Sequence, residues 1–357
     1  MTNLNCESPL IAPKEQPRNL RIYDSFDRPL RDLRISVIDQ CNFRCVYCMP
    51  QNQRIEHYTF LKQDQWLTFP QIERLARLFV KLGVGKIRIT GGEPLLRPNL
   101  SNLVGKLKGI PEVKDLALTT NGSMLIQHAQ ALKDAGLDRI TVSLDTLDPA
   151  LFRQINGFRG TLEKVLDGIQ LCQKIGFGCI KINVVLQKNI GHRHILDLVR
   201  YFKGRKPILR FIEYMDAGNC NHWSPDAVVP ASEIVKLIHE HFPLRAVRSN
   251  YYGEVASRYE FLDGEGEIGF ITPITQPFCR TCTRARVSAD GKMYPCLFAN
   301  HGTDLRPFLR QDIPDDVLLN IIQSDWRNRK DRYSELRAKS LSSQKSLPKI
   351  EMFQIGG

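Results

Sequence analysis

Six of the ten cysteines fall into two triads. Cys41, Cys45 and Cys48 form a CX3CX2C run just after the apolar stretch Leu33 to Ile38. Cys279, Cys282 and Cys296 form a CX2CX13C run in the last third of the chain. Closely spaced thiolates bind soft metals, and the number three narrows the choice. A closed structural zinc site takes four ligands, and a four-iron cluster held wholly by protein takes four thiolates. Three thiolates on a cubane leave one iron open to a non-protein ligand. Zinc pairs are usually CX2–4C with a second pair beyond. CX3CX2C does not match, although His57 is the nearest candidate for a fourth ligand. The CX2C of the second triad has zinc-ribbon spacing, yet a single cysteine follows it, so a closed four-cysteine site is not evident. The isolated Cys6, Cys172, Cys179 and Cys220 read as buried, inert thiols.

The elements that must position these thiols follow a βα rhythm. Strands are predicted at Leu33 to Ile38, Lys86 to Thr90, Asp115 to Thr120, Arg139 to Leu144, Cys179 to Val185 and Ile208 to Tyr214. Each alternates or runs apolar, and helical segments lie between them. One opens at Thr68-Phe-Pro70, with a cap and a first-turn proline, and closes at Gly83. Repeated strand–helix units argue for a parallel sheet with right-handed crossovers. Six units in about 180 residues are too few for a complete barrel of ~250 residues. The expected fold class is therefore α/β, a partial (βα)6 TIM-type barrel with a C-terminal α+β extension. Expected divisions are a loose arm at 1–30, the barrel at 31–216, a C-terminal cluster and substrate domain at 217–340, and a tail at 341–357. Such folds place their sites at the carboxyl ends of the strands. That is where Cys41 to Cys48, Gly91-Gly92-Glu93, Thr119 to Asn121, Ser143, Asp145 and Glu213 to Met215 collect.

The net charge of +12 argues for an anionic partner, whether nucleic acid, a membrane surface or a polyphosphate. Basic residues are dispersed, apart from Arg327 to Arg337, which reads as a solvated helix face. No apolar stretch reaches the ~20 residues of a membrane helix. Residues 1–20 lack the apolar core of a secretory signal. The expected compartment is the cytoplasm, where clustered cysteines signal metal or redox chemistry rather than disulfides.

CX3CX2C with Tyr47 before its last cysteine, followed by Gly91-Gly92-Glu93-Pro94, resembles the radical S-adenosylmethionine (SAM) superfamily. Within it the second triad, Thr283-Arg284-Ala-Arg286 and the terminal Gly356-Gly357 resemble the GTP 3′,8-cyclase family of molybdenum cofactor biosynthesis, over residues 30–357. The resemblance implies two 4Fe-4S clusters, one on each triad, and SAM at the open iron of the first. It implies SAM contacts from Tyr47, Gly92, Ser143 and Met215. It implies GTP contacts from Arg34, Arg88, Thr119, Lys181, Arg284 and Arg286, with Ala285 through its backbone and Lys86 as a weaker addition. Arg284 and Arg286 would also act catalytically, and Gly356 and Gly357 would enter the active site.

The implied reaction is that of a lyase. SAM is cleaved to a 5′-deoxyadenosyl radical that takes the 3′ hydrogen of GTP. The C3′ radical attacks C8, and a reduction gives 3′,8-cyclo-7,8-dihydro-GTP. The second cluster would offer its open iron to the guanine. Implied partners are a second copy of the chain, an electron donor and a downstream cyclic pyranopterin monophosphate synthase. Neither nucleic acid nor a membrane is expected. Taken singly, each mapped residue has an ordinary alternative, such as core packing, a turn glycine or a strand-end charge. However, Arg34, Arg88 and Lys181 alternate with apolar neighbours, and an inward charge is costly unless paired or functional. Two competing functions stand beside this one. They are a peptide-modifying radical SAM enzyme with an auxiliary cluster, and a non-enzymatic zinc and nucleic-acid-binding protein.

Overall fold

The computed structural model describes residues 21–51, 53–188, 190, 194–310, 313–342 and 349–356. Twelve strands form one sheet in the order β12-β11-β10-β1-β2-β3-β4-β5-β6-β9-β8-β7. The first six are β1 (Asp32–Ser36), β2 (Lys86–Thr90), β3 (Asp115–Thr120), β4 (Arg139–Ser143), β5 (Cys179–Leu186) and β6 (Ile208–Glu213). Then come β7 (Leu244–Val247), β8 (Ala256–Phe261), β9 (Glu267–Ile271), β10 (Arg284–Val287), β11 (Lys292–Tyr294) and β12 (Thr303–Asp304). The six expected barrel strands pair in parallel with their neighbours, and the sheet does not close on itself.

Sequence parity dictates which side chains face in. Leu33 and Ile35, Ile87 and Ile89, Leu116 and Leu118, and Ile140 and Val142 are all buried in the main core. The alternate residues Asp32 and Arg34, Lys86 and Arg88, Thr119, Arg139 and Lys181 line an interior cavity instead. A strand's period of two thus puts an apolar layer outward and a charged layer inward. The helices are built to match. Phe69–Lys81 starts at Thr68, whose side chain and that of Gln71 form a capping box, with Pro70 in the first turn. It buries Ile72, Leu75, Leu78 and Phe79. It ends before Gly83, whose φ of +107° disfavours an L side chain. Helices Leu125–Asp134 and Leu162–Lys174 pack on each other in the same way.

Two expectations need correction, and the extension finds its place in the sheet. The βα rhythm breaks after Asp216, as expected, and the strands of the C-terminal extension join the same sheet. β9 extends the parallel run beyond β6, and β10 pairs parallel with β1. Ile268, Phe270, Ala285 and Val287 accordingly complete the core that the barrel strands begin.

Residues 21–30 are not a loose arm. Asp24 and Arg28 form a buried ion pair at 2.6 Å, and Trp326 Nε1 donates to the Arg28 carbonyl at 3.3 Å. Residues 1–20 lie outside the described residues.

The stretch Arg327 to Arg337 is a solvated face only in part, since Arg327 and Lys330 are exposed. Arg329 and Arg337 are buried, paired with Asp24 and Asp216. Burial of each guanidinium requires its carboxylate, and those partners are distant in sequence.

Candidate active site

The inward charges form layers. In register, Arg286 of β10, Arg34 of β1 and Arg88 of β2 stand side by side. Arg88 Nη1 donates to Thr119 Oγ1 at 2.9 Å and to Thr141 Oγ1 at 3.0 Å. Towards the amino ends of the strands, Lys86 lies 3.6 Å from Asp115 and Arg139 Nε lies 2.8 Å from it. Arg258 pairs with Glu267 there. Ion pairs therefore fill that end of the cavity. Nine arginines and two lysines line the cavity against four carboxylates. Burial, then Arg286, Arg88 and Arg284, hold the Arg34 pKa well below its ordinary value. Burial and Arg284 bring that of Arg286 down to about 10. Crowded, desolvated cations of this kind are stabilised by a polyanion.

The second triad stands at the same cavity, which Cys279, Cys282 and Cys296 all line. Arg284 Nη2 donates to Cys282 Sγ at 3.2 Å. Burial alone would raise the Cys282 thiol, but Arg284 and Arg329 outweigh it and draw it down to about 6. Ala285, between the two mapped arginines, turns its methyl into the outer core. Only its backbone is left to face the cavity.

The first triad occupies the loop after β1, which its own backbone folds tightly. Cys48 N and Met49 N both donate to the Cys45 carbonyl, at 3.0 and 2.9 Å. Arg44 N and Val46 N bond to the carbonyls of Asn156 and Ile155. Tyr47 donates to Asp145 Oδ2 at 2.8 Å, and Val185 N donates to Asp145 Oδ1 at the same distance. Burial pushes the Asp145 carboxyl up to about 6. Gly92 lies so close to the chain that an added Cβ would overlap the Gln40 carbonyl. Glu93 accepts from Thr120 Oγ1 and Asn121 N, each at 2.7 Å, and burial raises it to about 7. Ser143 and Asn183 pair across β4 and β5. Met215 lines the cavity with Asn183, whereas Tyr47, Gly92 and Ser143 lie outside its lining.

The described end of the chain, 349–356, bridges the two triads. Phe353 shares an apolar cluster with Met49, Cys41 and Cys48, and Ile355 shares another with Tyr294 and Cys296. Lys349 Nζ reaches Asp216 at 2.8 Å, and Glu351 accepts from Asn219 N at 3.0 Å. Arg286 Nη1 donates to the Gly356 carbonyl. Gly357 lies outside the described residues.

Do these residues fit iron–sulfur clusters? Each site offers three thiols. Burial drives Cys41 and Cys296 up to about 12 and raises Cys45 and Cys48 as well. Such thiolates need a cationic core beside them. Among the described residues no three His, Cys, Asp or Glu side chains gather around one point as a single metal ion would need. His57, the proposed zinc partner, is exposed. A cubane takes each thiolate on a separate iron, so the donor set fits it. The buried Asn183 Oδ1 has no hydrogen-bond partner among the described residues and lines the cavity, as a residue awaiting a polar ligand would.

Sequence reading missed several cavity residues. Arg139, Arg210 and Tyr251 line it, and Lys86 Nζ donates to Tyr251 at 2.9 Å. Arg210 could have been found by inward parity, since it aligns with Asn183. Tyr251 carries no such signal. Of the isolated cysteines, Cys172 and Cys220 are buried free thiols as expected. Cys179 is buried too but is disulfide-bonded, which corrects the expectation of an inert thiol there, and Cys6 lies outside the described residues.

Comparison with known proteins agrees with this geometry. Residues 35–202 match the Radical SAM superfamily, and residues 208–335 match Molybdenum Cofactor Synthesis C. A GTP 3′,8-cyclase of Xanthomonas axonopodis pv. citri is 51% identical over 94% of this chain and 98% of its own. One from Staphylococcus carnosus is 46% identical over 94% of this chain and 99% of its own. Among solved structures, Streptococcus suis SuiB is similar with a TM-score of 0.60, covering 89% of this chain and 72% of that one. At 16% identity that likeness concerns the fold alone. No helix among the described residues is long and apolar enough to cross a membrane. With full-length relatives near half identity and both halves matched, the chain belongs to the GTP 3′,8-cyclase family of the radical SAM superfamily.

Proposed function

We propose that this chain converts GTP to 3′,8-cyclo-7,8-dihydro-GTP, removing the 3′ hydrogen and joining C3′ to C8, as the first step of molybdenum cofactor biosynthesis. One observation carries the reading: a cavity lined by nine arginines, two lysines and all three second-triad cysteines. It suits a ligand with a polyanion at one end and a metal-binding heterocycle at the other. A peptide substrate gives no reason for so many buried cations, and the relatives near half identity are cyclases.

Cys41, Cys45 and Cys48 would hold the first 4Fe-4S cluster, and Cys279, Cys282 and Cys296 the second. When bound, the first cluster supplies the electron that cleaves SAM to methionine and the 5′-deoxyadenosyl radical. The chain's own residues do the rest by position. Tyr47, fixed by Asp145, and the close backbone at Gly92 would wall the SAM site. Ser143 and Met215 would complete it. Arg34, Arg88, Thr119 and Lys181 would hold the triphosphate, and Arg284 and Arg286 the nucleoside end, with Ala285 contributing backbone. Charge-assisted contacts of this kind fix orientation, so C3′ and C8 approach without a search. The tail closes the site around Arg286 and, with Phe353 and Ile355 at the two thiol loops, keeps water from the radical. The working unit is a cytoplasmic homodimer reduced by an external one-electron donor, with its product passed to a pyranopterin-forming synthase.

The test is anaerobic turnover with GTP or ATP. Product from GTP alone supports the reading. Equal turnover of ATP, or turnover of neither, contradicts it.

A further inference from the structure

Beside the second triad, at the edge of the cavity that Arg28 and Arg329 also line, lies a buried charge network. Arg329 Nη2 donates to Cys282 Sγ at 3.2 Å, and Nη1 donates to the Cys282 carbonyl at 2.8 Å. The same Nη1 lies 3.3 Å from Asp24 Oδ2. Asp24 also accepts from Arg28 Nε at 2.6 Å. Arg28 Nη1 donates in turn to the carbonyls of Cys279 and Asp331, at 2.8 and 2.9 Å. All three side chains are no more than 1% exposed.

Two guanidiniums share one carboxylate here, so the network carries an excess positive charge away from water. Arg28 Nη2 and Arg329 Nε are buried and have no hydrogen-bond partner among the described residues. A scaffold needing only to hold the loop would use neutral donors, because an uncompensated buried cation is costly. An anionic group beside the network offsets that cost. The thiolates of the second triad, with the cluster they would carry, are such a group, and it gains a further negative charge on reduction. Hydrogen bonds to cluster sulfurs and nearby charge are among the features that set reduction potential.

We propose that Arg329, held in place by Asp24 and Arg28, is a positioning residue of the second cluster that raises its reduction potential through the Cys282 sulfur. The inference rests on the reading that the second triad holds a 4Fe-4S cluster. The step concerned is a one-electron reduction of that cluster by an external donor, with no bond made or broken.

The test is a potentiometric titration of the full-length, reconstituted protein, followed by electron paramagnetic resonance. Cys41→Ser and Cys279→Ser variants assign the two cluster signals. In Arg329→Gln the second-cluster iron should stay, and its reduced-to-oxidised ratio at fixed potential should fall about tenfold, or ~59 mV for one electron. The first-cluster potential should not move. Arg329→Lys, which keeps the charge, should recover part of the shift. An unchanged second-cluster potential in Arg329→Gln overturns the proposal. If Arg329→Gln fails to assemble, Asp24→Asn decides. Loss of its negative charge should raise the second-cluster potential, and no change or a fall overturns the inference. Absence of second-cluster iron from the unmodified protein would instead remove the underlying reading.

Discussion

Replacing Gly356 with alanine should undock the end of the chain and stop turnover without unfolding the barrel. Gly356 has φ 69° and ψ 112°, a conformation that costs an L residue about 1–3 kcal/mol. A Cβ there would also collide with Oγ1, Cβ and Cγ2 of Thr90, itself buried at the end of β2. Overpacking of that kind typically costs about 1–3 kcal/mol. Together the penalties are about 2–6 kcal/mol, which moves the docked-to-undocked ratio roughly thirtyfold to twenty-thousandfold. The readouts are product formed from GTP and hydrogen exchange of amides 352–356. Gly356→Ala should lower the first and accelerate the second, with the thermal transition little changed. Thr90→Ala should relieve part of the loss, because it removes two of the three colliding atoms, and coupled neighbours interact by about 0.5–3 kcal/mol. Full activity with unaltered exchange in Gly356→Ala would refute the argument. So would a loss that Thr90→Ala leaves untouched.

Other perturbations reach different parts of the account. Burial would raise the Asp216 carboxyl, but Arg337 and Lys349 outweigh it and hold the folded pKa below the ordinary value. Its stabilisation is thus present at neutral pH and above, and is lost as pH falls through that lowered pKa. Asp216→Asn should cost about 3–5 kcal/mol at neutral pH by denaturant unfolding, and the gap to the unmodified protein should narrow in acid. Gly92→Ala should abolish SAM binding measured by equilibrium dialysis, because its Cβ would overlap the Gln40 carbonyl, while GTP binding persists. Arg34→Ala should weaken GTP binding by about ten- to a hundredfold, the worth of a charged hydrogen bond of about 1.5–3 kcal/mol. Cys279→Ser should keep the first cluster and lose the product, checked by iron content beside turnover.

Much of the cavity was legible because it follows local rules. In Lys86-Ile-Arg-Ile-Thr90 the parity alone separates Arg88, facing the cavity, from Ile87 and Ile89, facing the helices. The triads were legible because thiol spacing is a local property too. What escaped depends on distant partners. Arg329 looks solvated until Asp24, 305 residues away, is placed beside it, and Arg337 until Asp216, 121 residues away, accepts from it. Which neighbours β9 and β10 pair with is not written in their own residues, because the pairing is set by strands far away in sequence. Residues 21–30 looked like an arm because polar composition hides a buried ion pair.

The central claim is that the two triads act on opposite ends of one substrate complex, SAM on the first and GTP on the second. Anaerobic incubation with SAM, a reductant and GTP deuterated at C3′ tests it most directly. The account predicts 5′-deoxyadenosine carrying one deuterium, formed together with the cyclised nucleotide and lost on Cys279→Ser. Unlabelled 5′-deoxyadenosine at the same rate with or without GTP would contradict it.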